Sequence, residues 1–244
     1  MLWRKFRLDW SYALGELLIV TIGVLIALAI NEWNEERSER AEEANVIARI
    51  ITNLDQDLKA FEFRLNALDA KEESLLRVRV GLAKTTIDDP HALLRDIIIG
   101  ADFGWNQGLP QRATYDALLG SGQLGIISEP NINILIAGYY RSYEDSNNRI
   151  EERETIYPSL SYQLVPRHRT TWDGVGIVWE REVESGLSDT ALMELAELVH
   201  DSTIAGYVTA EINLSRFIRG ITLNFKNRAN LLVTQLEEYH ATIQ

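Results

Sequence analysis

Residues 12–31 read YALGELLIVTIGVLIALAIN, and the rest of the chain follows from how this stretch is housed. It carries one carboxylate, Glu16, no other charge and no proline. As a helix rising 1.5 Å per residue it is roughly 30 Å long, the thickness of a bilayer's hydrocarbon core. Lipid offers backbone groups no hydrogen bonds, so a spanning segment must close them internally, as a helix does. Its Leu, Ile and Val side chains point all round the axis and cannot all face one globular core. The stretch therefore predicts a transmembrane helix over residues 10–31.

Three other housings compete with a span. Arg4, Lys5 and Arg7 form a basic region, and Ala27-Leu28-Ala29 is a passable cleavage site for a signal peptide. The apolar run is longer than the core of such a peptide. A buried core helix would keep a polar face, and an interfacial helix would need a charged stripe; this stretch has neither.

The flanks set orientation. Arg4, Lys5 and Arg7 precede the span, whereas six glutamates (32, 35, 36, 39, 42, 43) against Arg37, Arg40 and Arg49 follow it. The excess of Lys and Arg in short flanks stays inside. Residues 1–9 are then a cytoplasmic tail and 32–244 a periplasmic domain, held at an inner membrane by a single pass. Trp10, Tyr12 and Trp33 suit the aromatic belts at the two interfaces.

The net charge of −12 repels phosphate backbones and argues against nucleic-acid partners. The chain has no cysteine, which removes disulfides and thiolate metal sites. Five prolines in 244 residues leave room for long helices. The expected fold is all-α: the span continues into a long helix, to about residue 84, of an extracytoplasmic antiparallel bundle. Within it Ile47, Ile51, Leu54, Leu58, Phe61, Leu65 and Leu68 alternate by four and three, an a/d seam. Glu36 and Arg40 are among the i, i+4 pairs of an exposed stalk before it.

Further along, Asp88 or Asp89 caps a short helix from Pro90 to about Gly100, and residues 101–111 form a loop. A helix from Ala113 to Leu119 closes at Gly120-Ser121-Gly122, with Gly122 suited to the left-handed region. Ser128 is read as the N-cap of a helix running to Tyr157, with Ile132, Leu135, Ile136, Tyr139 and Tyr140 on its apolar side. Residues 165–187 lose helical period and suggest an irregular excursion. Ser188-Asp189 opens a helix to His200, and a last helix spans about Thr203–Tyr239 with Ile218, Phe225, Leu232 and Leu236 inward.

Tyr12-Ala13-Leu14-Gly15-Glu16, with Asn31-Glu32-Trp33-Asn34-Glu35 beyond the apolar run, resembles the N-terminus of a bacterial family of single-span membrane proteins of unknown function. Thr114-Tyr115-Asp116-Ala117-Leu118, followed by Ser121-Gly122-Gln123-Leu124, Ile127 and Tyr139-Tyr140, is similar to that family's second signature. The resemblance covers about the first 145 residues. It implies a span plus a helical extracytoplasmic domain, and it brings no catalytic residues.

Within the span, Tyr12, Glu16, Gly23, Ala27 and Asn31 share one stripe, where small residues allow close approach and polar ones hydrogen-bond across a helix pair. Glu16 can alternatively reach water at the interface. Trp105, Thr114, Tyr115 and Tyr139 mark a structural corner or a small ligand pocket. Glu197/His200 and Glu237/His240 repeat the Glu-x-x-His spacing of di-iron bundles, but they sit at predicted helix ends. No nucleophile elbow, phosphate loop or dinucleotide fingerprint is present.

The function expected is non-enzymatic: a membrane-anchored accessory or scaffold protein acting by helix association, as a homo-oligomer or as a subunit of a larger membrane complex, for example an energy-transducing one. Its partners would be the lipid bilayer and other membrane subunits or itself, with no cofactor. A periplasmic ligand-sensing bundle that signals through a partner is the alternative, and a di-iron enzyme is a more distant one.

Overall fold

A computed structural model describes residues 10–101, 110–156 and 189–243, and among these every regular element is a helix. The first, α1 (Trp10–Leu82), is 73 residues long, about 110 Å at 1.5 Å per residue. It joins the apolar stretch, the stalk and the seam without a break. After it come α2 (Pro90–Ala101), α3 (Ala113–Ser121), a short 3-10 turn (Gln123–Ile126), α4 (Pro130–Ile156), α5 (Asp189–His200) and α6 (Ser202–Ile243).

Two environments divide α1. From Leu14 to Glu42 its side chains are exposed, the large apolar ones between Leu14 and Ile30 by 47% to 73%. This is the one described helix long and apolar enough to cross a membrane. From Glu43 onward one face is buried against α4 and α6, and nearer Leu82 against α2 and α5.

The two long partners run antiparallel. Tyr239 of α6 donates its hydroxyl to Glu43, and Lys71 pairs with Glu211 at 3.2 Å. Twenty-eight residues up α1 thus correspond to 28 residues back along α6, four heptads with no slip. Outside the seam, Glu62–Lys226 (2.9 Å) and Glu72–Arg216 (2.7 Å) flank the same pairing. Such exposed pairs contribute up to about 1 kcal/mol each.

The buried face of α1 corrects half of the seam expected from the apolar pattern. Ile47, Leu54, Phe61 and Leu68 are buried as expected. The alternate positions lie one residue earlier: Glu43, Ile50, Asp57, Arg64, Lys71 and Val78 are buried, whereas Ile51, Leu58 and Leu65 are half-buried flanks. On α6 the seam Ile218, Phe225, Leu232, Leu236 is inward as expected. On α4, Ile132, Ile136, Tyr139 and Tyr140 are buried, but Leu135 is exposed, because Tyr139, Tyr143 and Ser146 take the face that α6 covers.

The helix ends follow local chemistry. Asp89 accepts the Ala92 N–H (3.0 Å) and starts α2 as expected. Gly122, at φ 70°, closes α3 in the left-handed region, its N–H directed to the Leu118 and Leu119 carbonyls. The cap of α4 differs from expectation. Glu129, not Ser128, accepts the Asn131 N–H (3.2 Å), because Ser128 is turned toward the Glu43 carboxylate. Asp201 caps α6 through the Thr203 N–H (2.8 Å). The excursion expected over residues 165–187, and Ser188, lie outside the described residues.

Candidate functional site

The expected packing face of the span lies on the exposed part of α1. Glu16, Gly23, Ala27 and Asn31 are exposed on one side, Tyr12 belongs to the first helical turn, and a Cβ at Gly23 would meet nothing within 4 Å. Thr21 returns its hydroxyl to the Leu17 carbonyl (2.8 Å), so this polar group is satisfied within the helix. Glu16, Gly23, Ala27 and Asn31 are thus left uncovered by the other described elements.

The corner residues are brought together, and they form a filled core. Thr114 Oγ1 accepts from Asn53 Nδ2 (3.0 Å). Tyr115 stacks on Tyr140 with ring centroids 4.5 Å apart, and Tyr139 meets Tyr140 edge-on at 5.2 Å. Trp105 lies outside the described residues. At the centre is a group the apolar pattern passed over, Asp57. Its Oδ1 accepts the Gln111 N–H (2.7 Å) and its Oδ2 the Tyr139 hydroxyl (3.2 Å), while the Tyr140 hydroxyl donates to the Gln111 carbonyl (3.2 Å). Asp57 and Tyr140 thus clamp both backbone groups of one residue and fix the entry to α3.

Burial pushes the Asp57 carboxyl up to about 6, against the opposing pull of the Gln111 and Tyr139 hydrogen bonds. The Tyr139 and Tyr140 hydroxyls are raised too, by burial first and then by the Asp57 charge. Tyr143 is raised by burial, with the Arg64 guanidinium pulling the other way. This is a corner built to hold a shape; its polar atoms are directed at one another.

Asp57 belongs to a column. Glu43, Asp57, Arg64 and Lys71 occupy one seam position of α1, each buried. Glu43 accepts the Ser128 N–H (2.7 Å) and the Tyr239 hydroxyl, tying α4 and α6 to α1. Lys71 and Glu211 are both about 5% exposed and pair across the seam. The signal in the sequence was the seven-residue spacing of charges at 57, 64 and 71, the first two followed directly by Leu58 and Leu65.

The two Glu-x-x-His pairs are not brought together. Glu197 and His200 are at the end of α5, beside the start of α6, and Glu237 and His240 are in its last two turns. At 1.5 Å per residue the two histidines are separated by about 55 Å of helix. Glu197, His200 and Glu237 are exposed, and among the described residues no group of three or more His, Asp or Glu is arranged to hold a metal ion.

Besides a space of about 530 Å³ between residues 33–45 of α1 and Thr242 and Ile243 at the end of α6, two open spaces frame the ends of the bundle. One, of about 630 Å³, lies between the stalk at Glu36–Glu43 and the Gly122–Ser128 corner, which brings the second signature beside the continuation of the first. The other, of about 380 Å³, is largely apolar and lies at the far end between α1 and α2, over Leu76, Val80, Ile87 and Leu93. On its rim Arg77 holds Asp96 through contacts of 2.7 to 3.0 Å and Lys84 holds Asp88 at 2.5 Å, while Asp89 accepts the Ala92 N–H.

No curated protein and no solved structure matches the chain. A family model does, over residues 16–150, from Glu16 in the exposed apolar stretch of α1 through most of α4 and so across the Asp57 corner, while Tyr12–Gly15 precede the matched residues. By that match the chain belongs to the DUF6090 family, a family of unknown function.

Proposed function

We propose that this chain is a membrane-anchored scaffold that works by helix association, as a homo-oligomer or as a subunit of a larger membrane complex. The observation that carries the reading is the continuity of α1. One helix of 73 residues leads from an exposed apolar stretch, through an exposed stalk, into the buried seam of the bundle. Apolar side chains exposed over some eleven positions between Leu14 and Ile30 need lipid or other helices around them. The basic tail at Arg4, Lys5 and Arg7 supports a cytoplasmic N-terminus and a periplasmic bundle. The bundle's polar interior is spent on holding register and the α3 corner, which supports a structural role over a catalytic one. Blue-native electrophoresis of gently solubilised membranes tests this. A species larger than the monomer is expected, and a lone monomer that co-purifies with nothing would refute it.

A second reading, a periplasmic ligand sensor, is favoured by the apolar space of about 380 Å³ at the far end of α1. An uncharged apolar compound that raises the melting temperature of the full chain, and loses the effect in Val80→Trp, would favour it over the scaffold.

A further inference from the structure

The bundle covers one side of α1, and the opposite side carries a pattern of its own. Asn31, Asn34, Ser38, Ala41, Asn45 and Ala48 recur in steps of three and four, the spacing of a second seam. All nine charges between Glu32 and Arg49 lie off this line. At 3.6 residues per turn the line faces away from Glu43, Val46, Ile47 and Ile50, which the bundle buries; Asn45 is exposed and Ala48 half-buried. Ala27 in the span, Asn45 in the stalk and Phe63 beside the bundle are eighteen residues apart, five full turns, and so share one meridian. Phe63 is 65% exposed on that meridian, an aromatic ring outside the core that the described residues form.

We infer that this outer face of α1 pairs with the same face of a second copy of the chain, in parallel, from the small residues of the span through the stalk. The inference rests on the scaffold reading and names its partner. Two spans inserted the same way in one membrane can pair only in parallel. With Asn31, Ser38 and Asn45 as one core position and Asn34, Ala41 and Ala48 as the other, Arg37 and Glu42 take the flanking positions that face each other in a parallel pair. Arg37 of each copy then meets Glu42 of the other, twice by symmetry. Asparagine at the core of such a pair favours one register over greater stability, which suits a contact whose partners are already held together by their spans. The end of α6 stands at one flank of this face, where Thr242 and Ile243 line an open space of about 530 Å³ with Arg37, Ala41 and Asn45, and the second copy sits beside it.

The chain has no cysteine, so single cysteines report on the face directly. In oxidised membrane vesicles carrying the full chain, Ser38→Cys, Ala41→Cys and Asn45→Cys are expected to give disulfide-linked dimers, and Glu36→Cys and Glu39→Cys much less. In the Ser38→Cys background, Arg37→Glu should lower dimer yield about fivefold, the effect of two exposed interhelical ion pairs, and adding Glu42→Arg should restore it. Equal yields at face and flank positions, or no rescue by the charge swap, would overturn the inference. A large species on native gels without cross-links at the face would overturn this pairing alone; a lone monomer would overturn the scaffold reading with it.

Discussion

Lys71 Nζ lies 3.2 Å from the Glu211 carboxylate at the heart of the α1–α6 seam, each side chain about 5% exposed. A buried pair holds register well and stability poorly, since desolvating two charges offsets most of their attraction.

Removing one partner is therefore expected to cost far more than removing both. Lys71→Met leaves Glu211 as a buried charge and should destabilise by about 3 to 5 kcal/mol. Lys71→Met with Glu211→Met should return close to the parent or exceed it. Thermal unfolding of the detergent-solubilised chain, followed by circular dichroism, distinguishes these; equal losses in the single and double variants would contradict the account.

Asp57 makes stability depend on pH. Its pKa is about 6 in the fold against 3.8 as the ordinary value, so between those pH values the folded chain binds more protons than the unfolded one. Stability contributed at this site is highest at low pH and falls as pH rises from 3.8 to 6. Asp57→Asn can still accept from Gln111 and should stabilise at pH 7.5 by up to about 3 kcal/mol, the equivalent of the shift. It should also flatten the profile between pH 4 and 7, which denaturant unfolding at stepped pH would read.

Gly100 packs where α2 crosses α1. A Cβ there would stand 2.7 Å from Leu75 Cδ2 and 3.1 Å from its Cγ, and Leu75 is fully buried. Gly100→Ala is expected to destabilise by about 1 to 3 kcal/mol through overpacking. Paired with Leu75→Val, the loss should shrink, and a melting series of the two single variants and the double measures that coupling.

Glu43 ties three helices together at the end of the bundle nearest the stalk. Glu43→Ala removes the acceptor of the Ser128 N–H and of the Tyr239 hydroxyl, at a cost of about 1 to 3 kcal/mol. Amide hydrogen exchange should speed up at Ser128–Asn133 and in the last turns of α6 and stay unchanged near Lys71. Uniform acceleration would mean that Glu43 supports the whole bundle and not its end.

Much of the fold is legible in the sequence because helix ends and apolar periods are local. The long first helix, the Asp89 cap, the left-handed Gly122 and the inward face of α6 all follow from neighbours within a turn or two. The α1 seam is misread at alternate positions for the opposite reason. Choosing Leu58 and Leu65 over Asp57 and Arg64 assumes that charges stay outside, whereas Ile50 and Ile51 are equally apolar and the pattern alone does not choose between them. Asp57, Arg64 and Lys71 are admitted because their partners, the Gln111 backbone, Tyr143 and Glu211, come from distant parts of the chain. Ser128 is misassigned likewise, since its partner Glu43 is 85 residues away. Thr114, Tyr115 and Tyr139 stand out in the sequence by residue type, whereas Asp57, whose carboxylate accepts the Tyr139 hydroxyl, does not.

The uninterrupted α1 has the geometry of a lever. Between Gly23 and Gly81 it contains no glycine, and no proline precedes Pro90, so nothing in that length offers a hinge. Leu82 stands about 75 Å along the axis from Asn31, and a ten-degree change in tilt at the base would sweep the tip sideways by about 13 Å. Small reorientations among neighbours at the base would thus reach the far end as displacements comparable to the width of a helix.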